Sequence, residues 1–284
     1  MPEQFILSGF SDEIADDVQT QFAELNKCGI SYFEPRGING KNISDLDDQE
    51  VAALKDEMQR FGIQVSSIGS PIGKIQITDP FAPHLEKLRR VIAIAHALGT
   101  EYIRVFSFYL PQGAAKADYR EEVLNRMHAM AELAKAEDVT LLHENEKGIY
   151  GDMAADCLDI LQSVASPALW GVFDPANFVQ CGQAVYPEAY TLLKPYIRYV
   201  HIKDALADGS VVPAGYGIGC VKEVLTALKD SGYQGFLSLE PHLGSFQGLA
   251  ALEQGDEMLQ LEQSDAEKFE TAHKALLNIL NEVK

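Results

Sequence analysis

Apolar residues along this chain fall into two alternating patterns from one end to the other. Short runs dense in Val, Ile, Leu and Phe read as buried strands: FILSG (5–9), SYFEP (31–35), QVSSIG (64–69), YIRVFS (102–107), VTLLHE (139–144), LWGVFD (169–174), IRYVHI (197–202) and FLSLE (236–240). Between them apolar positions recur at helical spacing, as in VQTQFAELNKCG and HLEKLRRVIAIAHALG. Gly29, Gly62, Gly99 and Gly232 stand where helix C-termini favour a left-handed residue. A last helix is expected over 264–283, capped by Ser264 or Asp265. Eight strand–helix repeats predict an α/β fold: a single (β/α)8 TIM barrel over 1–284, with its active site at the C-terminal ends of the strands. An open doubly wound sheet is the rival, but the first strand runs into SDEIADD rather than a Gly-rich dinucleotide loop. The longest connection, 243–263, is expected to act as a lid or interaction segment.

Four of the later strands end on or next to a metal-philic side chain: Glu144, Asp174, His201 and Glu240. They lie roughly 27 to 39 residues apart, about one strand-plus-helix unit each. Parallel strands bring such residues to one shared mouth. Period-two alternation then sorts the faces. Leu142 shares a face with Glu144, Val172 with Asp174, Tyr199 with His201 and Lys203, and Ser238 with Glu240 and His242. His143 points the other way and reads as packing against the helices; His84, His96, His128 and His273 fall on helical segments. Three carboxylates and one imidazole suit Mn²⁺, Mg²⁺, Co²⁺, Fe²⁺ or Zn²⁺, and burying the carboxylates together without a cation would be costly.

Composition narrows the partners. The chain has 284 residues, enough for one barrel, and its 23 Lys+Arg against 42 Asp+Glu leave a formal charge of −19. That balance repels phosphate backbones and anionic lipid surfaces, so neither nucleic acid nor membrane is the expected partner. The N-terminus shows no basic, then apolar leader, and no run approaches the roughly 18 apolar residues of a spanning helix. Four scattered cysteines with no CxxC pair read as reduced, and a cytoplasmic location is expected. A homo-oligomer is compatible with the sequence.

FEPRG (33–37), LLHENEKG (141–148), GVFDPANF (171–178), YVHIKDA (199–205) and SLEPHL (238–243) resemble the xylose isomerase-like TIM barrel family over roughly 5–280. That family includes sugar and sugar-phosphate isomerases, ketohexose 3-epimerases, inosose dehydratases and endonuclease IV-like proteins. The resemblance implies one divalent metal held by Glu144, Asp174, His201 and Glu240, with Glu144 and Glu240 also moving protons. The implied reaction is isomerisation or epimerisation of a carbohydrate through a metal-stabilised enediolate. The same chemistry with a departing β-hydroxyl makes a dehydratase of a keto-inositol or keto-sugar. A non-catalytic carbohydrate-binding barrel is the alternative from another class.

Glu34, Arg104, Asn177, Lys203 and His242 are the candidate substrate contacts. Arg104 is read equally as a neutraliser of carboxylates, and Lys203 equally as an ion-pair partner of Asp204. Phe106, Phe178 and Trp170 are candidates to line a sugar. The glycines of VPAGYGIGC (212–220) stand where barrels cradle phosphate on backbone N–H groups, or form a plain turn. The 3-epimerase pattern is broken at three positions: Asn177 stands where it has His, Tyr150 where it has a second Glu, and Ala207 where it has Arg. Endonuclease IV needs more His and carboxylate ligands than this chain offers.

Overall fold

The computed structural model describes residues 4–243 and 265–283. Eight parallel strands form the centre: β1 (Phe5–Gly9), β2 (Tyr32–Phe33), β3 (Gln64–Val65), β4 (Tyr102–Val105), β5 (Thr140–Glu144), β6 (Leu169–Phe173), β7 (Ile197–Ile202) and β8 (Gly235–Leu239). Six of them pair in the order β1-β8-β7-β6-β5-β4, and β2 pairs with β3. Two seams close the ring. Glu34 N–H donates to Gly9 O (2.9 Å), and Ile68 bridges Ile103 in parallel through Ile68 N–H to Tyr102 O and Arg104 N–H to Ile68 O.

All eight predicted strands are present, but β2 and β3 are shorter than the apolar runs suggest. Pro35 has no N–H to give a ladder. Near the third strand the Ser70 hydroxyl takes the Arg104 carbonyl, while Ser66 Oγ–H adds a second bond to Phe33 O beside the backbone one from Ser66 N–H. The other predicted run ends match within two residues.

The helices follow their local signals. They are α1 (Val18–Lys27), α2 (Asp48–Phe61), α3 (Phe81–Leu98), α4 (Lys116–Ala136), α5 (Ala154–Val164), α6 (Pro175–Gln180), α7 (Tyr190–Leu193), α8 (Val221–Asp230) and α9 (Asp265–Glu282). Asp47 and Glu50 cap the start of α2 reciprocally, and Gly62 and Gly99 end α2 and α3 in the left-handed region. Gly29 and Gly232, one position past the caps of α1 and α8, are left-handed too. Between β6 and β7 the expected single helix is split into α6 and α7, with Gly182 at φ 73° between them. Of the predicted cap pair for the last helix, Asp265 opens α9 and Ser264 lies outside the described residues. The expected lid, 243–263, also lies outside them apart from Leu243.

Alternation along the strands divides two cores. Leu142, Val172 and Tyr199 pack together inside the ring, with Tyr102, Trp170 and Phe236 against them. The larger core lies between the strands and the helix layer. Glu144, Asp174 and His201 stand two residues beyond that inner trio, so the inner face carries them to the mouth.

Candidate metal centre

Local sequence aims each candidate ligand. Glu144 ends β5, His201 lies in β7, and Glu240 follows β8 directly. Asp174 follows β6 and caps α6: its Oδ1 accepts from Asn177 N–H (2.8 Å), with Pro175 fitting the first helical position. Capping uses one oxygen and leaves Oδ2 turned to the cluster. A strand-end Asp is thus both a cap and a candidate ligand.

The four side chains meet, offering ligand atoms within 4.8 Å of one another. His201 Nδ1 lies 2.9 Å from Glu144 Oε1, 3.4 Å from Glu240 Oε2 and 3.8 Å from Asp174 Oδ2. All four are at most 3% exposed. Burial opposes ionisation of Glu144, yet His201 and Arg104 outweigh it and hold its carboxyl down at about 2. Burial also opposes ionisation of Glu240, where Lys203, His201, His242 and Arg104 win and hold it well below the usual range. For Asp174 burial wins, helped by its carboxylate neighbours, and pushes it up to about 6. His201 is held well above its ordinary value despite burial, because Glu144 and Glu34 stabilise its cation. Without a metal, this cluster draws a proton onto its imidazole.

The donor set fits a divalent ion on two counts. Glu144 Oε2 is buried with no hydrogen-bond partner among the described residues, facing Arg104 Nη1 at 3.3 Å. The far side of the imidazole, Nε2, faces Glu34 Oε2 at 3.3 Å. A carboxylate there favours the proton on Nε2 and leaves the Nδ1 lone pair for a metal, the usual outer support of a ligating histidine.

The remaining sequence candidates are placed as follows. Glu34 stands behind His201. Asn177 is buried and donates to Glu144 Oε1 (3.2 Å) and Asn145 O (2.8 Å). Lys203 pairs with Glu240 (2.7 Å) and Asp174 (3.0 Å), and not with Asp204. Arg104 reaches Glu144 and Glu240 and lies over the rings of Phe10 and Phe106. His242, partly exposed at the rim, has Nε2 3.2 Å from Glu13 and 3.5 Å from Glu240. Phe106 carries Arg104 and Lys74 on its ring, Phe178 packs on Phe173 in the core, and Trp170 lies at the start of β6 under Arg198. His143 packs outside the barrel as expected, 2.9 Å from Ser107 Oγ.

Two features had no reading in the sequence, and a third was read only as an ion-pair partner of Lys203. Asn145 stitches β5 to β6: its side chain donates to Asp174 O and accepts from Asp174 N–H, both at 3.0 Å. Asp12 and Glu13, after β1, grip Arg36, which also reaches Glu240 at 3.2 Å. The third is Asp204. Its carboxylate accepts from the backbone N–H groups of Ala205, Gly215, Gly217 and Gly219 at 2.7–3.1 Å. The loop, read as either a phosphate cradle or a plain turn, gives its Gly215, Gly217 and Gly219 amides to a side chain of the same protein. The acidic run SDE and the HIKD tetrapeptide were visible signals, but neither specified a partner.

Fold and site together define a (β/α)8 barrel with a buried cluster of four side chains that could hold a metal at the strand C-termini. The xylose isomerase-like TIM barrel model matches residues 22–261, and the chain belongs to that family. An inosose dehydratase of Bacillus anthracis is 23% identical over 261 residues, covering 79% of this chain and 85% of that one. Among solved structures, the IOLI protein with a bound zinc atom superposes at a TM-score of 0.76, with 16% identity and coverage of 98% and 99%. A D-allulose 3-epimerase from Methylomonas, in complex with D-allulose, superposes at 0.71, with 19% identity and coverage of 99% and 98%. Among the described residues no helix is long and apolar enough to cross a membrane.

Proposed function

We propose that this protein is a divalent-metal-dependent isomerase or epimerase of a carbohydrate, with Glu144, Asp174, His201 and Glu240 as ligands and Glu144 and Glu240 as proton carriers. One observation carries the reading. The two glutamates come from the outer strands of the ligand set, β5 and β8, with Asp174 and His201 between them, and both carboxylates reach His201 Nδ1. A substrate held at that centre has one carboxylate on each flank.

A bound divalent ion would polarise an adjacent carbonyl and hydroxyl and acidify the C–H bond between them. One glutamate then takes that proton, and the other returns a proton to the opposite face or to the neighbouring carbon. Lys203 and Arg104 hold these carboxylates in place and keep them ionised. The zinc in one structural neighbour and the sugar in another support this reading.

A second reading, dehydration, is favoured by the inosose dehydratase relative and by Lys203. Its ammonium, 2.7 Å from Glu240 and 3.0 Å from Asp174, is placed to hydrogen-bond a departing hydroxyl, although these carboxylates raise its pKa and hold its proton tightly. Candidate sugars and keto-inositols incubated in D₂O with Mn²⁺-loaded protein separate the two by NMR. Deuterium entering a carbon with no loss of water supports the isomerase or epimerase; loss of water supports the dehydratase. A protein that binds no divalent metal and exchanges no proton would overturn both, leaving a non-catalytic carbohydrate-binding barrel.

A further inference from the structure

We infer that the substrate is uncharged: a polyhydroxylated ketone or aldehyde bearing neither phosphate nor carboxylate. This inference rests on the proposed proton abstraction and specifies what the site accepts.

The glycine loop after β7 is the first observation. In barrels, the loops after the last two strands commonly hold a phosphate on backbone N–H groups. Here an internal carboxylate holds that position. Asp204, 1% exposed, takes four backbone N–H groups, and the loop is shaped around it. A Cβ on Gly217 would sit 2.3 Å from Asp204 Oδ1 and from Ala205 O, and one on Gly219 would sit 2.6 Å from Asp204 Oδ1. Asp204 thus fills the nest with negative charge, and a phosphate brought there would meet a carboxylate already holding the Gly215, Gly217 and Gly219 N–H groups.

Charge balance at the centre is the second observation. Six carboxylates, from Asp12, Glu13, Glu34, Glu144, Asp174 and Glu240, are linked through contacts with Arg36, Arg104, Lys203 and His201. Three permanent cations and a divalent metal together offset all but one of those charges. At the same end Lys74 is paired with Glu146 and Lys268 with Asp265, and His242 already faces Glu13 and Glu240. Lys147 is exposed, where solvent and salt weaken its reach. Residues 244–264 contain no Lys, Arg or His and four acidic residues, so wherever that stretch lies it brings no cation. A substrate phosphate or carboxylate would be buried without a counter-charge, which costs several kcal/mol. Hydroxyl groups need only hydrogen bonds.

Matched pairs test this: D-fructose against D-fructose 6-phosphate, D-ribulose against D-ribulose 5-phosphate, and a keto-inositol against a cyclic keto-acid. Proton exchange in D₂O is followed with Mn²⁺-loaded protein. The expected result is a kcat/KM at least about tenfold higher for an uncharged member than for its charged partner. Preference for a phosphorylated or carboxylated member overturns the inference while leaving proton abstraction standing. No exchange anywhere overturns the proposed function, and the inference is then decided by a second arm. Inorganic phosphate is titrated into ¹⁵N-labelled protein. The amides of Gly215, Gly217 and Gly219 should not shift in the unmodified chain and should shift saturably in Asp204→Ala. Saturable shifts in the unmodified chain would sink the idea. Should Asp204→Ala not fold, Asp204→Asn, which keeps an acceptor but loses the charge, replaces it.

Discussion

At the scale of single residues, Glu240 and Glu34 illustrate different kinds of legibility. Glu240 was readable because strand alternation and a shared mouth leave a strand-end carboxylate few places to point. Replacing it with Gln keeps the shape and one acceptor, enough for Lys203 or Arg36 but not both, and removes the base. Glu240→Gln should therefore fold normally by circular dichroism and lose roughly 10³-fold in turnover; near-normal activity would remove Glu240 from the proton path. Glu34 looked like a substrate contact from its strand-end position, yet it faces His201 Nε2. That depends on which way an imidazole turns, which no spacing encodes. Glu34→Gln should weaken divalent-metal binding about 10- to 100-fold by calorimetry on metal-free protein. Unchanged affinity would return Glu34 to the substrate-contact reading. Asn177, a candidate from its place in the resemblance, is spent on Glu144 and Asn145 for the same reason: its partners come from another strand.

At the scale of elements, strands and helices were largely legible because their signals are local. Apolar runs, capping residues and left-handed glycines lie within a few positions of what they specify. The loop 212–220 was not. Its glycines announce close backbone approach but cannot say to what, and the answer lies in the side chain of Asp204. Gly217→Ala should destabilise the protein by about 2 to 3 kcal/mol in urea, because its Cβ would meet a backbone carbonyl that cannot move aside. A neutral result would show that the loop can rearrange away from Asp204. The 73–84 region couples to pH in a similar way. His84 Nε2 accepts the Gly73 N–H at 2.7 Å and must be unprotonated to do so. Burial, with Lys87 and Arg126 nearby, pulls its pKa down to about 4. The unfolded chain, near 6.5, therefore binds the extra proton first. This contribution is complete above about pH 6.5 and is lost as pH falls toward 4, on the order of 2 kcal/mol in all. His84→Gln should flatten that part of the stability profile; an unchanged slope would assign it elsewhere.

For the whole molecule, a cluster drawn from four strands would tie the proposed metal binding to closure of the ring. Chelation should lower Tm by roughly 5 °C relative to protein holding metal at about 100 times its dissociation constant. An unchanged Tm would argue against a resident metal. Barrel and converging cluster were both readable from the chain because both follow from periodicity: period two selects the inner face, and the strand–helix repeat returns each strand to the same mouth. The sequence by itself thus determined the fold class and the four residues that converge. Only the tertiary structure decided what surrounds them: the carboxylate behind His201, the lysine between Asp174 and Glu240, and the aspartate filling the glycine loop. These pairings join residues on different strands and loops through distances and ring orientations that exist only once the barrel has closed.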